Sequence, residues 1–137
     1  MKRISHVAVI FAFSTLVPLI ASDEPWSFRA GRGITLNEAA KVAVGLEVET
    51  VETSGNESAL FIAESALVET VRGDFVYTLN GAAYLRVAVK TGTRADGRVE
   101  IIDGLLEGDE VVVGGAYDLW MIELQAVNGG RGCADGH

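Results

Sequence analysis

The strongest constraint on the fold is a β-hairpin signal in the middle of the chain. Residues 74–79 and 82–90 are both rich in β-branched and aromatic side chains. Between them stands Asn80-Gly81, a pair that tolerates the positive φ angles of a tight turn. The second run alternates, which predicts a sheet with one face on the core and one face in solvent. Its core-facing set is Ala83, Leu85, Val87 and Val89, and its solvent-facing set is Tyr84, Arg86 and Lys90.

Other short runs indicate further strands around this hairpin. Four are predicted, over residues 46–53, 59–63, 98–102 and 110–115, and residues 91–97 are predicted to be a loop. Thr35 and Glu38 have the spacing of a capping box, which predicts one helix over 36–44 that ends at Gly45. Residues 116–127 are ambiguous and could be a strand that runs into a short helix. We therefore expect a mainly β (α+β) fold, a small barrel or sandwich of about six strands with one short N-terminal helix.

The two ends of the chain differ in composition from its middle. Residues 1–22 combine Lys2 and Arg3 with an apolar stretch and a small residue at Ala21, which is typical of a secretory signal. The alternative is an uncleaved N-terminal anchor, although the stretch is short for a membrane span. Residues 23–32 have no period and predict a flexible lead-in, in which Trp26 and Phe28 could pack back on the domain. The domain itself is expected over 33–127, followed by a disordered glycine-rich tail over 128–137.

Charge and cysteine content exclude several classes of function. The net charge is −8, so phosphate backbones would repel the protein and nucleic-acid binding is not expected. Cys133 is the only cysteine, so an intramolecular disulfide is impossible. No Ser-His-Asp or Cys-His arrangement and no phosphate-binding loop is present. The sequence therefore predicts a protein that is not an enzyme and has no cofactor.

Some side chains have both a structural and a functional interpretation. Cys133 and His137 could bind a soft metal ion such as Cu(I) or Zn(II), or could lie in a tail without function. Met121 could add a thioether to them, but we expect it to fill the core beside Trp120.

Two further groups lie on predicted strands. The carboxylates Glu47, Glu49 and Glu52 are expected to form a solvated strand face. The aromatic residues of the hairpin either pack across strands or form an exposed strip for a partner. They are Phe75, Tyr77 and Tyr84.

From Phe61 onward the sequence resembles the membrane-proximal domain of periplasmic adaptors, the membrane fusion proteins of resistance-nodulation-division (RND) efflux pumps. The similar segments are 62–68, 75–81 and 86–92, and the most specific is 99–113, with its Gly-Leu-x-x-Gly-Asp-x-Val-Val pattern. Within this family the chain looks closest to the heavy-metal branch. Residues 33–53 are similar to the stretch that precedes the lipoyl-like domain in the family. Ala63 departs from the pattern, because the family commonly has proline there.

The resemblance implies a non-catalytic periplasmic module that binds an inner-membrane efflux pump or a full-length adaptor. The lipoyl-like, β-barrel and helical-hairpin domains of a full adaptor do not fit between Thr53 and Phe61, so the chain is expected to contain the membrane-proximal module without them. The rival interpretation is a small periplasmic metal-binding protein that uses the Cys133 and His137 tail. A remnant without a partner is the third interpretation.

Overall fold

The computed structural model describes residues 24–55 and 59–129. About half of these residues lie in strands. The nine strands are β1 (Trp26–Arg29), β2 (Gly33–Leu36), β3 (Glu47–Thr50), β4 (Leu60–Ala63), β5 (Val68–Thr70), β6 (Gly73–Asn80), β7 (Ala83–Ala95), β8 (Arg98–Asp103) and β9 (Glu110–Gly114). The helices are α1 (Glu38–Ala43), α2 (Ala116–Gly129) and a 3₁₀ turn at Glu64–Ala66. The mainly β class is confirmed.

The strands form one open, branched sheet rather than a closed barrel. The main path runs in the order β1-β2-β7-β6-β9-β3. Strand β7 also pairs with β8, which pairs with β4, and β5 pairs with β6. All these pairs are antiparallel, and the described residues hold three more strands than the six expected. The prediction of a small barrel or sandwich is therefore only partly confirmed.

The central hairpin is confirmed, with its turn displaced by one residue. Strands β6 and β7 pair from Asp74↔Val89 to Asn80↔Ala83, so the turn residues are Gly81 and Ala82. Gly81 has a φ of 63°, the left-handed conformation that the sequence signal requires. The loop predicted over 91–97 is wrong, because β7 continues to Ala95 and turns at Asp96-Gly97. Both of these turn residues have positive φ, which suits a second tight hairpin.

Strand β6 is buried on both of its faces at residues 75–77, whereas Arg86 and Lys90 of β7 are exposed, as the prediction of a sheet with one wet face requires. Phe75 and Tyr77 point into one hydrophobic cluster, and Val76 between them points into a second cluster on the opposite side. The first cluster is covered by the β1–β2 hairpin and by α2. Tyr84 was expected in solvent, but it pairs with Ile34 of β2 and is buried in this first cluster.

Residues 24–36 differ most from the sequence prediction. The segment predicted to be an irregular lead-in contains β1, which forms a hairpin with β2. Trp26 and Phe28 do pack against the core, as expected. The helix α1 begins after Asn37, whose side-chain oxygen accepts a hydrogen bond from the Ala40 backbone N–H at 2.8 Å. Asn37 rather than Thr35 is therefore the N-cap, because Thr35 already lies in β2.

The structure resolves the ambiguity over residues 116–127, which belong to α2. The whole segment is helical, and α2 extends two residues into the predicted tail. Its buried positions are Ala116, Leu119 and Glu123, which have the three- and four-residue spacing of one helix face. Met121 lies on the other side and is 41% exposed, so the expectation that it fills the core is wrong. Within residues 24–55 and 59–129, neither helix has the length and apolar character needed to cross a lipid bilayer.

Candidate docking surfaces and a buried polar cluster

The residues of the predicted metal site lie outside the part of the chain that the structure describes. These are Cys133 and His137, and the predicted signal segment 1–22 lies outside it as well. Metal binding by the tail therefore stays a prediction. Within the described ranges, no three His, Cys, Asp or Glu side chains come together as a potential metal site.

The sheet has a seam where β3 and β4 approach each other without a ladder between them. At one end of the seam Thr53 pairs with Leu60, and the Ser54 N–H donates to the Ala59 carbonyl at 3.1 Å. Further along, a shallow crevice separates β3 and β9 from β4. Its lining residues include Glu49, Val51, Phe61, Ile62, Val111 and Val113.

One arginine holds the two sides of this seam together. Arg98 on β8 donates from Nη2 to the Phe61 carbonyl at 2.9 Å and to Glu49 Oε1 at 3.3 Å. Glu47 and Glu52, the other two carboxylates of the predicted acidic face, are exposed. The expected solvated face is confirmed, and Glu49 has the additional role of pairing with Arg98. Because both partners of this ion pair are almost half exposed, it contributes little stability by itself.

A second arginine links the long strand β7 to the segment before β6. Arg94 forms ion pairs with Glu64, at 3.4 Å, and with Glu69. The hydrogen bond from Arg94 holds the pKa of Glu69 below its ordinary value. All three side chains are substantially exposed, so solvent screens these pairs too.

Two large aliphatic side chains are exposed beside buried neighbours. Ile102, near the end of β8, is 61% exposed, while Ile101 is buried. Leu106, in the turn between β8 and β9, is 74% exposed, while Leu105 is buried. An apolar side chain held at the surface next to a buried one is available to a partner without any rearrangement of the core.

The aromatic residues of the central hairpin are not an exposed strip. Phe75, Tyr77 and Tyr84 are all at least 93% buried, and the rings of Phe75 and Tyr77 meet edge to face at 5.7 Å. Cross-strand packing, the structural one of the two interpretations, is therefore confirmed, and a docking role for these three rings is excluded.

A buried polar cluster lies where α2 crosses the sheet. The Tyr77 hydroxyl donates to Glu123 Oε2 at 2.5 Å, and Glu123 Oε1 lies 3.6 Å from Arg86 Nη1. The Arg86 guanidinium also stands over the Phe75 ring, 5.1 Å from its centroid. Glu123 is only 9% exposed, and it is the buried charged residue of the described part of the chain. Glu123 is not among the site residues predicted from the sequence, although its position four residues after Leu119, on the same helix face, was an available signal.

The cluster makes the stability of the fold sensitive to alkaline pH. Burial, and then the hydrogen bond to Glu123, raise the pKa of Tyr77 above its ordinary value. An unfolded tyrosine ionises near pH 10, whereas folded Tyr77 stays protonated there. The stability that depends on the neutral hydroxyl is therefore fully present below about pH 10 and is lost as the pH rises further.

We expect Tyr77→Phe to lower the free energy of unfolding at pH 7 by about 1.5–3 kcal/mol, because a hydrogen bond to a carboxylate is lost. Between pH 9 and about 11, the variant should lose less stability than the wild type. Urea unfolding at both ends of this range measures the two slopes. Tyr117→Phe, at a 62% exposed tyrosine on α2, is the control and should keep the wild-type slope. Equal slopes for all three proteins would contradict the assignment to Tyr77.

Part of the chain is similar to known proteins. Residues 58–118 match the family model described as "RND MFPs, C-terminal permuted SH3 domain". A similar solved structure is the NMR structure of 180 residues that encompass the N-terminal metal-binding site and the membrane proximal domain of SilB from Cupriavidus metallidurans CH34. The identity is 31%, the match covers 53% of this chain and 42% of that chain, and the TM-score is 0.47.

The extent of these matches limits them to one domain. The similar stretch spans less than half of the SilB chain. No curated protein matches the sequence. The matched residues include β4 to β9 and the first turn of α2, which contain the β4 side of the seam, the exposed residues Ile102 and Leu106, and the buried Tyr77. Residues 58–118 are therefore similar to the C-terminal permuted SH3 domains of RND membrane fusion proteins, and the resemblance noted in the sequence is confirmed over this part of the chain.

Proposed function

We propose that this protein is a non-catalytic interaction module of a heavy-metal RND efflux system. It would work in the periplasm, exported by the segment 1–22, with residues 33–127 as its adaptor-like domain. Its partner would be the inner-membrane pump or a full-length membrane fusion protein. The observation that carries this proposal is the family match over residues 58–118.

The docking surface that we propose is centred on Ile102 and Leu106. Both belong to the segment with the most specific resemblance to the family, and both are large aliphatic residues held in solvent. Centres of protein interfaces are enriched in such apolar side chains and depleted of charge. The partner surface would therefore be apolar, in keeping with contact between two subunits of one assembly.

The test is a pull-down from solubilised membranes with the tagged protein as bait. We expect to recover an RND pump or a full-length membrane fusion protein, identified by mass spectrometry. The double variant Ile102→Asp with Leu106→Asp should reduce the recovery about tenfold or more, because a charge would be buried at the interface. Val42→Asp, at an 81% exposed position on α1 outside the matched segment, is the matched control.

The possible outcomes separate the partner from the surface. Equal recovery by the wild type and the double variant would contradict the proposed surface but would not contradict the proposed partner. Recovery of neither protein by the wild type, under conditions in which a known complex survives, would contradict the pump-associated function. Circular dichroism of each variant checks that a loss of recovery does not come from unfolding.

A further inference from the structure

A cavity of about 190 Å³ lies between the β1–β2 hairpin, strands β6 and β7, and helix α2. Its apolar walls are formed by Phe28, Ile34 and Tyr84. Its polar side is formed by Tyr77, Arg86 and Glu123. Cavities of about 150 Å³ with apolar walls hold a benzene ring, so this cavity has room for one ring with a small polar group.

Only one of the two carboxylate oxygens of Glu123 accepts a side-chain hydrogen bond. Its Oε2 accepts the hydrogen bond from Tyr77 at 2.5 Å. Its Oε1 lies 3.6 Å from Arg86 Nη1, which is beyond hydrogen-bond length. Glu123 is among the residues that line the cavity, so its carboxylate is placed to meet a ligand there. A carboxylate on a side chain that is only 11% exposed is a strong acceptor for a donor placed in the cavity.

The charges around the cavity decide which chemical group fits. Arg86 and Glu123 both line the cavity and carry opposite charges, so their pair is close to neutral. A cationic ligand would meet the guanidinium, and an anionic ligand would meet the carboxylate. A neutral amide suits both, because its N–H can donate to Glu123 Oε1 while its carbonyl accepts from Arg86.

We propose that this cavity is a binding site for a small neutral amide attached to an apolar ring or chain. The amide would lie between Glu123 and Arg86, and the apolar part would pack on Phe28, Ile34 and Tyr84. The site is separate from Ile102 and Leu106, neither of which lines the cavity. Its test is therefore independent of whether the protein binds a pump.

The experiment compares three probes of nearly equal size on the ¹⁵N-labelled protein. They are benzamide, which is neutral, benzylamine, which is cationic at pH 7, and benzoate, which is anionic. We expect benzamide to shift the backbone signals of Gly31, Gly33 and Arg86, which line the cavity, with a millimolar dissociation constant. The two charged probes should bind at least several-fold more weakly, because each opposes one member of the ion pair.

Two variants test whether benzamide binding depends on the Glu123 carboxylate. Glu123→Gln keeps an oxygen that can accept from Tyr77 but loses the charge, and we expect it to weaken benzamide binding about tenfold. Asp118→Asn makes the same change at the other carboxylate of α2, which is exposed and does not line the cavity. This control variant should bind benzamide like the wild type.

Three results would overturn the proposal. They are the absence of benzamide-induced shifts in the wild type up to the solubility limit, shifts that map away from the cavity, and tighter binding of either charged probe. The wild-type probe series stays decisive if Glu123→Gln fails to fold, because it needs no variant.

Discussion

Replacing Leu119 by alanine is expected to lower the free energy of unfolding by about 2–5 kcal/mol. Leu119 is fully buried between α2 and the sheet, in the same cluster as Tyr77 and Val112. The truncation removes apolar contact and leaves a cavity that the surrounding strands fill only partly. Because α2 buries only three residues, Leu119 is its main apolar anchor. Urea or thermal unfolding of the purified protein measures this change.

Met121→Ala is the matched control for this prediction. It shortens a large side chain on the same helix, two residues away, at a position that is 41% exposed. We expect it to change the free energy of unfolding by no more than about 0.5 kcal/mol. If the two variants lose the same stability, α2 is not held to the sheet by the face described above.

Replacing Gly33 by alanine is expected to cost about 2–4 kcal/mol, for two reasons that act together. Gly33 has a φ of 84°, a left-handed conformation that side chains disfavour. A Cβ at this position would also overlap the carbonyl oxygen of Tyr84 and would lie 2.9 Å from Leu85 Cδ2. The backbone of β7 would have to move away from β2, which would open the cover of the first hydrophobic cluster.

Gly31→Ala separates the two reasons, because Gly31 shares the positive φ but not the contact. Its φ is 75°, and nothing lies within 4 Å of a Cβ built there. We expect this variant to cost only about 1 kcal/mol. The difference between the two variants in urea unfolding measures the close approach of β2 and β7. A difference near zero would show that Gly33 is needed only for its backbone angle.

The central β-structure could be predicted from the sequence because its signals are local. The tight turn at Gly81 depends on residues adjacent in the chain, and so does the alternation along β7. The helix α1 was also predicted, although Asn37 and not Thr35 caps it. The predicted start of α1 was wrong because Thr35 pairs with Ser27 in the β1–β2 hairpin. This pairing competes with a capping role for Thr35.

The burial of Tyr84 and of both faces of β6 could not be predicted, since it depends on elements distant in the chain. Tyr84 alternates with core residues and was expected in solvent, but β2 covers it. The same holds for Glu123. Its charge predicts an exposed position, but Tyr77 and Arg86, which are distant in the chain, pair with it and allow it to be buried. The missed features are therefore those in which a second covering layer turns a solvent-facing surface into an interior one.

The pairing of Thr53 with Leu60 has a consequence for how such a domain can evolve. The fold itself holds these two residues together, so the chain between them closes a loop whose ends are already fixed. Each doubling of a loop's length costs only about 0.6 kcal/mol. A gene could therefore gain or lose a whole domain at this point in one recombination event and leave the sheet on either side intact. The Thr53–Leu60 pairing is therefore a point at which an insertion would cost the fold little stability.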